Sequence, residues 1–84
     1  MIEELLDKLE PKTSSYKIMC YLAFRGSTMK PQELAEALNE NGSTVRARLA
    51  ELKKMGLVDS RPDGYFSLVT PYDIVMKVYR DLKK

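Results

Sequence analysis

Hydrophobic positions recur at helical spacing over most of the chain. Ile2, Leu5, Leu6 and Leu9 share one face of a short helix that Pro11 ends. Thr13, Ser14 and Ser15 then offer hydroxyl caps for a second helix. Its apolar positions are Tyr16, Ile18, Met19, Cys20, Leu22, Ala23 and Phe24, and Gly26 stops it. Ser27–Met29 predicts a brief extended piece. Pro31 suits the first turn of a third helix, where its missing N–H costs nothing, with Leu34, Ala35 and Leu38 inward. Residues 39–42, Asn-Glu-Asn-Gly, read as a turn, because Asn and Gly tolerate positive φ. Asn41 or Ser43 caps a fourth helix that runs to Met55 and stops at Gly56. On that helix Val45, Leu49 and Leu52 fall together, with Met55 beside them.

The period then changes. Residues 57–61 and 65–69 are β-prone runs around Pro62-Asp63-Gly64, which predicts a hairpin. Thr70 and Pro71 open a last helix from Tyr72 to about Lys83. The expected fold class is mainly α with a small β-hairpin (α+β). A single domain is expected over residues 1–84, with a core at 13–71 and flanking helices at 2–10 and 72–83. Four helices, a hairpin and a helix is the order of a winged helix-turn-helix.

Composition narrows the chemistry. The chain has 84 residues, and a domain this small buries only about 60% of its unfolded surface. One cysteine cannot form an intrachain disulfide, and Cys20 reads as packing. The absence of histidine excludes the usual zinc, Ser-His-Asp and Cys-His sites. No Gly-rich phosphate loop is present, and the carboxylates fall mostly on helix exteriors. No enzyme, metal or cofactor is therefore expected. No apolar run approaches the roughly 20 residues of a membrane span. The acidic start, Ile2-Glu3-Glu4, is unlike a secretory signal. A cytoplasmic protein with no membrane partner is expected. Net charge is only +2, but it is unevenly placed. Residues 1–10 and 31–42 are each net −3, whereas residues 43–61 are net +3.

Three segments carry a family resemblance. They are Pro-Gln-Glu-Leu-Ala-Glu-Ala-Leu (31–38), the run from Ser43 to Val58 that includes Thr-Val-Arg-Ala-Arg-Leu, and Tyr-Phe-Ser-Leu-Val-Thr-Pro (65–71). In this order, over roughly residues 13–71, the chain resembles the TrmB-like and MarR-like winged-helix regulators. The TrmB-like group is the first choice, because the wing is short and a helix follows it directly. The resemblance implies a double-stranded DNA-binding transcriptional regulator of the archaeal or bacterial kind, cytoplasmic and nucleoid-associated. It implies a recognition helix at about 42–55 in the major groove and a wing at 57–69 near the minor groove. Larger TrmB-like regulators carry a sugar-binding domain after the wing. This chain ends too soon for one, so no sugar ligand is expected.

The outward face of the fourth helix carries Ser43, Arg46, Ala47, Ala50 and Lys54. Thr44 lies in its first turn. The alanines permit close approach to base edges in a groove only about 12 Å wide. Arg46 is long enough for a guanine or a phosphate. Arg48, at the border of the apolar face, is assigned to phosphate. Lys30 and Gln32 open the third helix, whose N–H groups suit another phosphate. Arg61 is the only cation of the wing tip. Two positions depart from the family pattern. Glu40 stands where related turns hold a buried Ile or Val, so it must point outward or the turn must differ. Gly42 stands where a basic or polar DNA-contacting residue is common. Two other roles fit the fold: an architectural nucleoid protein that coats DNA without sequence choice, and a winged helix used for protein contacts.

The last helix has an apolar arc of about 200° at 100° per residue, whereas one-sided packing needs a stripe of about 100°. The excess predicts a homodimer through Tyr72, Val75, Met76, Tyr79 and Leu82. Leu5 and Leu9 of the first helix are the second candidate interface. The alternative is packing of the two terminal helices on each other.

Overall fold

The computed structural model describes residues 2–10 and 13–83. Five helices and one hairpin follow in order: α1 (Ile2–Leu6), α2 (Ser14–Arg25), α3 (Pro31–Leu38), α4 (Gly42–Met55), β1 (Val58–Arg61), β2 (Gly64–Ser67) and α5 (Pro71–Lys83). Pro11, which was expected to end the first helix, lies outside the described residues. Helix α1 stops earlier, at Leu6, and Leu9 continues the packing from a turn in which its N–H donates to the Leu6 carbonyl.

Helix α4 packs against both α2 and α3. Its Val45, Leu49 and Leu52 are fully buried with Ile18, Leu22, Leu34 and Leu57. Removal of this apolar surface from water is the main force that holds the three helices together. Both ends of α4 are closed locally. Asn41, not Ser43, is the N-cap, and its Oδ1 accepts from the Ser43 N–H at 2.9 Å. Gly56 ends the helix at φ 85°. The opposite side of α4 is left to solvent.

The turn between α3 and α4 differs from an aliphatic-filled one. Asn39 takes the left-handed conformation at φ 54°. Glu40 points back to α2, where Lys17 Nζ lies 2.7 Å from Oε2 and the Ser14 hydroxyl donates to Oε1. The Lys17 and Ser14 contacts hold the Glu40 carboxyl below its ordinary pKa. The turn therefore differs, as the glutamate required: an ion pair to α2 stands at Glu40.

The hairpin is tighter than expected. Arg61 pairs with Gly64 and Val58 with Ser67, so Pro62-Asp63 is a two-residue turn and Gly64 already belongs to β2. The short extended piece before α3 docks on the free edge of β2. Met29 and Tyr65 exchange two backbone bonds, of 2.9 and 2.8 Å. Gly64 makes this approach possible. Its φ is +144°, and a Cβ there would lie 2.6 Å from the Met29 carbonyl atoms.

Helix α5 begins with a reciprocal cap: the Thr70 N–H donates to Asp73 Oδ2, and the Asp73 N–H donates to Thr70 Oγ1. It packs on α2 and α1. Arg80 donates to both oxygens of Asp7, which ties α5 to the turn that follows α1. Ile74 and Lys77 face inward. Lys77 is only 1% exposed, 3.2 Å from Asp81 and 5.3 Å from the Tyr16 ring centroid. Leu9 is buried and Leu5 packs against the same core. Leu9 thus packs within its own chain, and Leu5 does so in part. Cys20 packs against the core, partly buried, and burial pushes its thiol pKa up. Phe24, in the apolar set of α2, is instead 59% exposed.

Candidate nucleic-acid interface

The open side of α4 faces the wing across a shallow cleft of about 410 Å³. Lys30, Gln32, Arg46 and Arg61 line it together with Pro62, Gly64 and Tyr65. Three elements bring these residues together. The start of α3 supplies Lys30 and Gln32. The second turn of α4 supplies Arg46, and the end of β1 supplies Arg61. The Met29–Tyr65 bridge sets their separation, because it fastens the wing to the strand that leads into α3. Lys30 precedes the first turn of α3, and its N–H donates to Glu33 Oε1 at 2.7 Å.

Arg46 leans toward the N-terminus of its helix, as helical side chains do. Its Nη1 lies 3.5 Å from the point where a Cβ on Gly42 would stand. That is ordinary contact distance, so the guanidinium of Arg46 lies directly over the first turn of the helix. Gln32 and Arg46 also border an adjoining hollow with Asn39, Glu40 and Gly42. Ala47, Ala50 and Lys54 are exposed on the same helix. Ser43 is exposed, but its hydroxyl donates to Asn41 Oδ1 and so belongs to the cap. Thr44 is half-buried.

Arg48 is not brought to this cleft. It pairs with Glu51 one turn along the helix. Both border a separate groove with Lys8, Leu9, Ser14 and Met55. Its side chain faces Glu51 and lines a different groove from Arg46, so the structure does not gather it with the cations of the cleft. Four residues of the cleft were not assigned a site role from the sequence: Pro31, Pro62, Gly64 and Tyr65. The sequence pattern marked Pro31 as a helix start and the other three as hairpin, that is, as fold and not as surface.

A helix–turn–helix whose second helix stands free beside a docked hairpin, with cations gathered between them, is a winged helix-turn-helix domain. The sequence profile of the family described as "Winged helix-turn-helix transcription repressor, HrcA DNA-binding" matches residues 16–80, more than half of the chain. The chain belongs to that family of DNA-binding repressor domains, which is not a family of enzymes. The match carries the HrcA description and not the TrmB-like or MarR-like one. Comparison with curated proteins and with solved structures gives no match. Among the described residues, no helix is long and apolar enough to cross a membrane.

Proposed function

We propose that the domain binds double-stranded DNA as a homodimer, with α4 in the major groove and the wing beside the neighbouring minor groove. One observation carries this reading: Lys30, Gln32, Arg46 and Arg61, from three separate elements, converge on one open cleft beside the free face of α4. Convergent donors on a concave surface suit a phosphate backbone that curves past a helix lying in the groove. Ala47 and Ala50 leave that helix low enough for Arg46 to reach a base edge or a phosphate. Lys54 extends the positive face toward the helix end. The short wing followed at once by α5 supports a TrmB-like arrangement within this class, acting in the cytoplasm on the nucleoid.

The dimer rests on α5. Tyr72, Val75, Tyr79 and Leu82 recur at intervals of three, four and three residues, the spacing of a two-helix seam. All four are more than half exposed. Ile74 and Lys77 lie on the opposite side, against the chain's own core.

Selection of bound duplexes from a random-sequence pool tests the reading. A regulator enriches a two-fold-related motif whose half-sites are about 34–36 Å apart, one helical turn. Tight binding without enrichment supports the architectural role. An absence of binding supports a protein-contact role. The logarithm of the binding constant is expected to fall with log salt by roughly 0.9 per phosphate neutralised. Lys30, Arg46, Lys54 and Arg61 set the expected number of contacts on each protomer, and a flat slope overturns the proposal.

Arg46→Ala is expected to leave the fold intact, because the side chain is exposed. Loss of a bidentate base contact should lower sequence discrimination by about 1–3 kcal/mol. An unchanged titration at moderate salt removes α4 from the groove.

A further inference from the structure

Arg61 ends β1 at the tip of the wing, and its guanidinium carbon stands 4.2 Å from the centroid of the Phe66 ring. The register explains the contact. Arg61 lies opposite Gly64, and Phe66 is two residues further along β2 on the same face. Gly64 places no side chain between them. The two carboxylates nearest in sequence are engaged elsewhere. Asp63 Oδ2 accepts from the Thr28 hydroxyl at 2.9 Å. Asp59 Oδ1 accepts from the Ser60 N–H at 2.8 Å and lies 4.0 Å from Lys53 Nζ. Among the described residues, neither is bridged to Arg61.

This difference in partner matters chemically. A carboxylate would occupy the N–H edge of the guanidinium and cancel its charge. An aromatic face takes only the flat side of the cation, so the donors and the charge remain available. The turn end of the wing is also held, by the Met29–Tyr65 bonds and by Thr28 on Asp63. A long side chain that is already restrained loses less rotamer freedom when it inserts into a groove.

We infer that Phe66 is a positioning residue that holds Arg61 as a ready cationic probe of the minor groove, so that the wing selects narrow, A-tract-like DNA next to the site of α4. The inference rests on the proposed placement of the wing. Narrow A-tract grooves have an enhanced negative potential that draws an inserted arginine. Selection of this kind depends on groove width and not on base identity, because the minor groove shows A·T and T·A pairs alike.

Two duplexes of equal A·T content separate width from composition: one with uninterrupted A-tracts spaced at the helical repeat, the other with the same positions broken by flexible TpA steps. The unmodified protein is expected to bind the A-tract duplex about fivefold more tightly, since stiff tracts keep the groove narrow. Arg61→Gln should abolish that preference. Phe66→Leu should reduce it by roughly two- to fivefold, the worth of an exposed cation–π contact, while Phe66→Tyr keeps it. In the free protein, the Arg61 Hδ resonances should be shifted upfield by the ring, in the unmodified chain and in Phe66→Tyr but not in Phe66→Leu. A folded Phe66→Leu variant with the full preference overturns the inference. Absence of the upfield shift from the unmodified protein also overturns it, even if Phe66→Leu fails to fold. Equal binding of both duplexes overturns the width selection and leaves DNA binding in place. Binding of neither duplex at low salt overturns the functional reading itself.

Discussion

Gly64→Ala is expected to destabilise the domain and to release the wing from the body. At φ +144° the backbone of residue 64 occupies a region that side-chain-bearing residues rarely adopt, and such strain costs about 1–3 kcal/mol. The added methyl would also stand 2.6 Å from the carbonyl carbon and oxygen of Met29, which are main-chain atoms that cannot swing aside. Relief requires the Met29–Tyr65 bonds to part. Met29 is itself 6% exposed, so its separation disturbs the core as well. For a domain of 60–100 residues each 1 kcal/mol lowers the melting temperature by roughly 4–8 °C. Gly26→Ala serves as the control: it has positive φ, +70°, but nothing lies within 4 Å of the added Cβ. Gly64→Ala should melt well below Gly26→Ala and lose more DNA affinity. Equal melting of the two variants removes the tight approach of Met29 as a determinant of the wing's position.

The helix faces were legible because a 3.6-residue period leaves no ambiguity once four or five apolar positions agree. Val45, Leu49 and Leu52 were placed together on that basis, and all three are fully buried. The wing face was less legible. A three-residue turn at 62–64 would set Arg61 opposite Tyr65. The two-residue turn sets it opposite Gly64, and a slip of one residue exchanges the two faces of a strand. Phe66 thereby reaches the face of Arg61, which no count of apolar residues shows. Lys77 was illegible for another reason. A lysine is mostly alkyl chain with a charged end, and its burial depends on Asp81 one turn on and on Tyr16 of a distant helix. Arg48 is the opposite case. Glu51 stood three residues away, the spacing of a helical ion pair.

Val75→Glu/Tyr79→Glu is expected to give a folded monomer with much weaker DNA binding. Val75 and Tyr79 are 55% and 54% exposed, so neither holds the body of the chain together. Glutamate is a good helix former, so α5 itself should persist. In a dimer the same positions lie in the middle of the 72–75–79–82 seam. Four carboxylates would then face one another in an apolar contact, where an unpaired buried charge is very costly. The inward anchors of α5 are untouched: Ile74, the Lys77–Asp81 pair and the Arg80–Asp7 bonds. Light scattering checks the first half of the prediction, since a mass near 9.6 kDa for the unmodified chain at micromolar concentration excludes the dimer. DNA titration checks the second half. A second half-site bound by the same assembly adds avidity of roughly 10²–10⁴-fold, and the monomer should lose most of it. Arg46→Ala separates the two effects, because it should weaken DNA contact while the dimer stays intact. If the double variant remains a folded dimer, the contact lies off α5, and the exposed Phe24 and Leu68 become the next positions to charge.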